Sequence, residues 1–221
     1  HASKNITTSR LFQVAQGSVY IHTQYVCDAA AEIADREGLR NDDRMLLVFA
    51  ALCHDMGKPE TTETVGGRIR SHGHAHAGVV PATTFMRSIG APEWVVRGVA
   101  YLTDRHMAHV TGFAGGLSDT ALRRLALSAS GAGVTMHLLS CLIEADASGR
   151  PPLPKGLPRQ AENIRHFSES ITPLVQGRHL IERGHTPGPH FGAALKAAFD
   201  AQIDGKVHTV DEGVRCAESV L

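Results

Sequence analysis

Long apolar runs are missing from this chain of 221 residues. Hydrophobic residues make up 43%, yet the longest unbroken stretch, MLLVFAALC, is far too short to span a bilayer. The opening HASKNITTSR has no apolar core of the kind a signal peptide needs, and it begins on His1 rather than Met, as a trimmed chain would. Cysteine is also scarce. Cys27, Cys53, Cys141 and Cys216 are scattered without a CxxC pair, which argues against a thiolate zinc site and a disulfide framework. Reduced thiols in a cytoplasmic protein are the expectation. Excess charge is absent too: 22 Lys+Arg balance 22 Asp+Glu, so net charge predicts no general pull toward nucleic acid or a membrane. Aromatics are only 5%, which predicts closely packed Ala, Leu and Val helices. No GxSxG elbow or activated-cysteine context offers a side-chain nucleophile.

Histidine is what the chain has in plenty, with fourteen. The most informative run is ALCHDMGK, Ala51 to Lys58, where an apolar segment ends in adjacent His54 and Asp55. Such groups pack poorly at the end of an apolar run unless something binds them. Gly57 is expected to close the helix in the left-handed conformation, and Pro59 to prevent its resumption. Four segments then carry metal-capable groups on apolar stripes of helical spacing: His22 with Val26, Ala29 and Ile33; His54 with Leu47 and Ala50 or Ala51; His106 with Val95, Val99 and Leu102; and Asp146 with Leu139 and Leu142. One inward histidine is an ordinary core residue. Four such groups around His54-Asp55 predict a metal site.

The periodicity predicts an all-α fold with helices over about 18–37, 42–56, 76–89, 92–108, 118–130, 133–147, 157–170, 188–203 and 210–220, capped at Asn41 or Asp42 and at Ser118, with Pro92 in a first turn. Between Thr61 and Ser71, β-branched residues flank Gly66-Gly67 and predict one short β-hairpin. The Pro-rich stretch Arg150 to Pro158 cannot be helical and is taken as the boundary between a core, 1–149, and a C-terminal helical annex, 150–221. Arg150, Lys155, Arg159, Arg165, Arg178 and Arg183 form a modest local basic excess able to meet phosphates, or simply a solvated face. Within SHGHAHAG, Ser71 to Gly78, alternate histidines cannot all face one way. His74 is the favoured ligand, His76 a substrate contact, and His72 a loop residue.

Taken in order and spacing, His22, His54-Asp55 and Asp146 resemble the motif of HD-domain metal-dependent phosphohydrolases, and His74 and His106 match the two extra histidines of its two-metal members. ALCHDMGK, SHGHAHAG, IEADASGRPPLP and PLVQGRHLIERGHTPGPHFGAALKAAFDAQIDG look like the HD region and tail of bacterial CCA-adding tRNA nucleotidyltransferases, poly(A) polymerase-like enzymes, over about Gly17 to Gly205. No nucleotidyltransferase head is present: there is no acidic polymerase motif on a strand. The resemblance implies an HD-domain helical bundle in which His22, His54 and Asp146 hold one ion, His74 and His106 a second, and Asp55 bridges them. Mixed imidazole and carboxylate donors suit one or two ions of Ni, Mn, Co, Fe or Zn. Two such ions can share a hydroxide and clamp phosphate oxygens. Lys58, Arg105 and His109 are expected to touch substrate or protonate a leaving group, Asp104 to orient a ligating imidazole, and Arg150 to reach the cleft or cap its helix.

The implied activity is hydrolysis of phosphomonoesters or 2′,3′-cyclic phosphates of nucleotides or RNA ends. Two alternatives are an accessory tRNA-binding domain of a CCA-adding enzyme and a nucleoside triphosphate hydrolase. The annex, through Gly177 to Pro189, is the expected tRNA contact, and no membrane partner is implied.

Overall fold

Apolar residues at helical spacing decide where this chain folds. In the computed structural model, which describes residues 19–111, 116–168 and 171–221, they build helices α1 (Val19–Arg36), α2 (Asn41–Cys53), α3 (Lys58–Thr61), α4 (His74–Ala77), α5 (Val79–Ser88), α6 (Glu93–Arg105), α7 (Asp119–Ala132), α8 (Met136–Ser148), α9 (Glu162–Arg165), α10 (Gly177–Glu182), α11 (His190–Ile203) and α12 (Val210–Glu218), with short 3₁₀ turns at Ala108–Thr111 and Arg159–Ala161. Strands β1 (Glu63–Val65) and β2 (Arg68–Arg70) pair antiparallel, with Val65 opposite Arg68 across Gly66-Gly67. Both glycines have positive φ, 60° and 74°, as a tight two-residue turn requires. The architecture is all-α with one hairpin.

The chain divides into two compact units. One comprises the described residues through Leu117 together with Ser128–Phe167, the other Ser118–Leu127 and Ser168–Leu221. In the first, α8 is the central element and is buried almost all round, from Met136 through Leu139, Leu142 and Ile143 to Asp146. The buried face of α1, from His22 through Val26, Ala29 and Ile33, packs on α2 and α8. Helix α2 also packs on α6, which brings Val95, Val99 and Leu102 inward. In the second unit, α11 and α12 pack against each other around Val175, Leu180, Phe191, Ala194, Ala198, Val214 and Ala217. Thr209 and Glu212 form a capping box at the start of α12. Among the described residues no single helix is long and apolar enough to cross a membrane.

Several local expectations change. Gly57 is right-handed, at φ −85°, so it does not close α2 by a left-handed turn. Pro59 does not end helical structure: it sits in the first turn of α3, where its missing N–H costs nothing. Neither Asn41 nor Asp42 caps α2; the cap position is Arg40, which makes no side-chain bond there. Ser118 does cap α7, accepting from the Ala121 amide at 3.3 Å. The helix expected over 157–170 shrinks to a 3₁₀ turn and α9. The ends of two predicted helices, residue 18 and residues 169–170, lie outside the described residues, as does the opening segment.

Buried charge fixes the far side of the first unit. Glu144 of α8 accepts from Arg36 Nη1 and Nη2 at 2.7 and 2.8 Å and from Arg165 Nη2 at 2.7 Å, tying α1, α8 and α9 together. Of the basic residues after Gly149, Arg165 is spent here, Arg150 on Asp146, Lys155 on Glu32 and Arg183 on Glu218, so the expected basic face is largely neutralised. Burial opposes ionisation of Glu144, but Arg36 and Arg165 outweigh it and hold its carboxyl below the ordinary value of 4.5. A depressed carboxyl stabilises the fold above the unfolded pKa and loses that contribution as pH falls through the folded one. Glu144→Gln is therefore expected to cost about 2 kcal/mol near neutral pH. Its stability should also fall less steeply than wild type below about pH 4.5. Thermal melts from pH 3 to 7 check this; parallel curves would show that the ion pairs contribute nothing.

Candidate metal centre

Two helix ends, at Ala51 and Thr103, help build the centre through carbonyls that a helix leaves unpaired. The last carbonyls of a helix have no intrahelical partner. His54 caps α2, and its Nδ1 donates to the Ala51 carbonyl at 2.7 Å; His106 caps α6, and its Nδ1 donates to Thr103 at 2.7 Å. His74 opens α4 and donates from Nδ1 to the Ser71 carbonyl at 2.7 Å. In all three the acceptor lies three residues upstream. His22, one turn into α1, donates to Gly149 beyond the end of α8 at 3.0 Å. A neutral imidazole has one N–H, and a carbonyl only accepts, so each of the four rings, when neutral as a metal ligand must be, turns a bare Nε2 away from its carbonyl.

Those Nε2 atoms face one another and two carboxylates. His22 and His54 are 3.4 Å apart at Nε2, and His74 and His106 3.2 Å. Asp146 Oδ1 lies 3.0 Å from His22 Nε2. Asp55 divides its oxygens: Oδ2 is 3.2 Å from His54 and 3.6 Å from His22, while Oδ1 is 3.3 Å from His74. Two groups result, His22 with His54 and Asp146, and Asp55 with His74 and His106, their ligand atoms all within 4.8 Å of one another in each. Five of the six residues are buried and His74 partly so. Acceptors packed this closely repel unless positive charge lies among them. The donor set thus fits a divalent cation.

Charge around the centre follows the same logic. Burial disfavours an ionised Asp55, but His54 and Lys58 overcome it and hold its carboxyl well below the usual range; Lys58 Nζ is 2.5 Å from Oδ2. Burial likewise opposes Asp146, which His22, His54 and Arg150 hold far down, with Arg150 at 2.7 Å. His54 would fall on burial alone, and the two carboxylates raise it instead. His106, buried and next to His54, is pushed down to about 4, which leaves its ring neutral at physiological pH.

The remaining expected site residues sit further out. Arg105 pairs with Asp104 at 3.0 Å. Asp104 also meets exposed His76 at 3.1 Å, so it serves these two and not a ligating imidazole as expected. His72 is exposed. His109 lies on the 3₁₀ turn after α6; its Nδ1 is buried without a hydrogen bond to a described residue, and burial lowers its pKa. Sequence reasoning missed the anchoring carbonyls of Ala51, Ser71, Thr103 and Gly149. Position was the available signal for two of them: a histidine just past a helix end can reach a free carbonyl three residues back.

Gly57 and Gly78 let the His54-Asp55 turn and the start of α4–α5 approach backbone to backbone. A Cβ on Gly57 would lie 2.1 Å from the His74 carbonyl oxygen and 2.5 Å from the Gly78 nitrogen. A Cβ on Gly149 would strike Val26, 2.5 Å from Cγ2 and 2.9 Å from the backbone nitrogen.

Comparison with known proteins places the chain in a family. The family model described as HD domain matches residues 19–142. The CC-adding tRNA nucleotidyltransferase of Thermus thermophilus is 33% identical over 174 residues, covering 74% of this chain and 37% of that protein. The A-adding tRNA nucleotidyltransferase of Deinococcus radiodurans is 29% identical over 185 residues, covering 78% and 41%. The chain spans about two fifths of the length of these relatives. No solved structure matches significantly.

Proposed function

The chain belongs to the HD domain family, whose members are metal-dependent phosphohydrolases, and from that premise we propose that it hydrolyses phosphomonoesters or 2′,3′-cyclic phosphates of nucleotides or RNA ends. The observation that carries the reading is the set of four imidazoles, each with Nδ1 spent on a backbone carbonyl, turning bare Nε2 atoms toward two acids. His22, His54 and Asp146 would hold one divalent ion, His74 and His106 a second, with Asp55 presenting one oxygen to each group. A bound ion there supplies Lewis acidity toward phosphate oxygens and lowers the pKa of water. Ni, Mn, Co, Fe and Zn all suit the donors.

The chain's other groups bind and orient. Lys58, already beside Asp55, can pass its ammonium to a phosphate oxygen as a point charge. Arg105 is assigned to a phosphate at the rim. His109, with its free buried Nδ1, is assigned to hold a proton for the leaving oxygen. Residues 1–149 are assigned the chemistry and 150–221 an accessory role in holding RNA.

The deciding experiment is metal analysis followed by hydrolysis of a chromogenic phosphodiester, a phosphomonoester and a nucleoside 2′,3′-cyclic phosphate. A second reading, an accessory tRNA-binding domain, is favoured by what the two relatives are named for and by the two fifths of their length matched. Metal-loaded protein that is inert on every ester yet binds tRNA at moderate salt establishes that second reading. His106→Ala is expected to keep one ion and lose the other, with activity falling about 100-fold. Loss of both ions, or of neither, overturns the division into two groups. Lys58→Ala is expected to raise KM about tenfold with little change in kcat, since it removes a charge that binds ground state and transition state alike.

A further inference from the structure

The β1–β2 hairpin stands outside the core. All six of its strand residues are exposed, Ile69 at 68%, so neither face joins the core. A two-stranded hairpin alone is at best marginally stable in water. Yet this one is rooted in the centre. At its first end, the Thr62 amide donates to the Lys58 carbonyl at 2.9 Å, and Lys58 touches Asp55. At the other end, the Ser71 carbonyl is the acceptor that orients His74. The Thr62 and Ser71 hydroxyls, 2.7 Å apart, close the root between them.

Alternate residues of a strand share a face, so Arg68 and Arg70 stand side by side, about 7 Å apart along β2. Neither makes an ion pair with a described residue. Glu63 is opposite Arg70 in register but is not bonded to it, and Val65 faces Arg68. Every other arginine or lysine named around the centre is engaged: Lys58 by Asp55, Arg105 by Asp104, Arg150 by Asp146. Among the described residues, the two guanidiniums without an ion pair thus lie on an exposed element rooted beside the centre.

We infer that the hairpin is a phosphate-binding arm that holds the strand of an RNA end while its terminal phosphate lies at the centre, so that the preferred substrate is a polynucleotide rather than a mononucleotide. The inference rests on the hydrolase reading for its chemistry. Guanidiniums bind phosphates by paired hydrogen bonds, and two on one face can take successive phosphates of one strand. A mononucleotide bound at the centre has no further phosphate to reach them. Ile69 and Thr64 on the opposite face leave that side apolar and uncharged, which restricts phosphate contact to one side of the arm.

The test compares wild type with Arg68→Ala/Arg70→Ala and with the charge-keeping Arg68→Lys/Arg70→Lys on two substrates, a short RNA ending in a 2′,3′-cyclic phosphate and the matching nucleoside 2′,3′-cyclic phosphate. The alanine pair is expected to lower kcat/KM on the RNA about tenfold or more at low salt and to leave the mononucleotide within about twofold. The lysine pair is expected to retain most of the RNA activity. The logarithmic salt dependence for RNA should become shallower by about 1.4, two phosphates at roughly 0.7 each. An unchanged ratio of the two kcat/KM values overturns the arm. Should wild type hydrolyse neither substrate, the hydrolase reading fails separately, and anisotropy with the same labelled RNA decides the arm. Weaker binding by the alanine pair then supports it, and equal binding or no binding by wild type overturns it.

Discussion

Asp55→Ala is expected to abolish hydrolysis and leave the centre without bound ions. Among the described residues its carboxylate is the one that faces both ligand sets, with Oδ2 toward His54 and His22 and Oδ1 toward His74. Alanine leaves four imidazole acceptors with Asp146 as the single counter-charge, and Lys58 without its partner. The loss should exceed the 10- to 100-fold usual for a residue that merely supports a ligand, taking activity down roughly 1000-fold or more. Metal content of the purified variant and kcat/KM on a phosphodiester are the measurements. Asp55→Asn is the companion, since it keeps the shape and one acceptor oxygen but not the charge. An alanine variant that retains two equivalents of metal would remove the bridging role altogether.

Gly57→Ala is expected to be the most damaging single methyl group in the first unit. The added Cβ meets no side chain that can swing away; it meets the His74 oxygen, the Gly78 nitrogen and the Ala77 carbonyl carbon, all backbone and all under 3 Å. Either the His54-Asp55 turn or α4 must shift. Overpacking of this kind costs about 3 kcal/mol. For a chain of this size that is a fall in Tm of about 6–12 °C. Because His74 moves with its own carbonyl, bound metal should fall too. The contrasting change is Gly192→Ala in α11, where nothing lies within 4 Å and the helix should gain slightly. Equal melting of Gly57→Ala and wild type would show that the two backbones separate without cost.

Sequence shows helices well where their apolar stripe is long. Val95, Val99, Leu102 and His106 are spaced for one face, and all four are buried in the fold. The hairpin was equally legible, because Gly66-Gly67 permits few other turns. What sequence could not show was contact at a distance. Gly57 follows the ligand pair as a helix-ending glycine would, and only the approach of α4 reveals that its lack of a side chain, not its φ, is what the fold needs. Arg165 belonged to an apparently solvated basic run until Glu144, 21 positions away, claimed it. The helix expected over 157–170 failed for a related reason: Pro158 at its start and few apolar positions leave, among the described residues, Ala161 and Ile164 to bury. For the centre, motif and stripes drew attention to the residues that the fold groups, whereas the carbonyls that turn the rings carry no residue identity to read.

That last feature bears on how the protein tolerates mutation. The rings of His54, His74 and His106 are aimed by the peptide groups of Ala51, Ser71 and Thr103, which survive whatever side chain evolution places there. The tautomers are thus set by backbone rather than by side chain, through helix ends at Ala51 and Thr103 and through the turn after β2 at Ser71. Gly149 is the exception: its carbonyl aims His22, yet its missing side chain is what lets Val26 come close. At Gly149 the residue type is therefore itself part of how the ring is aimed.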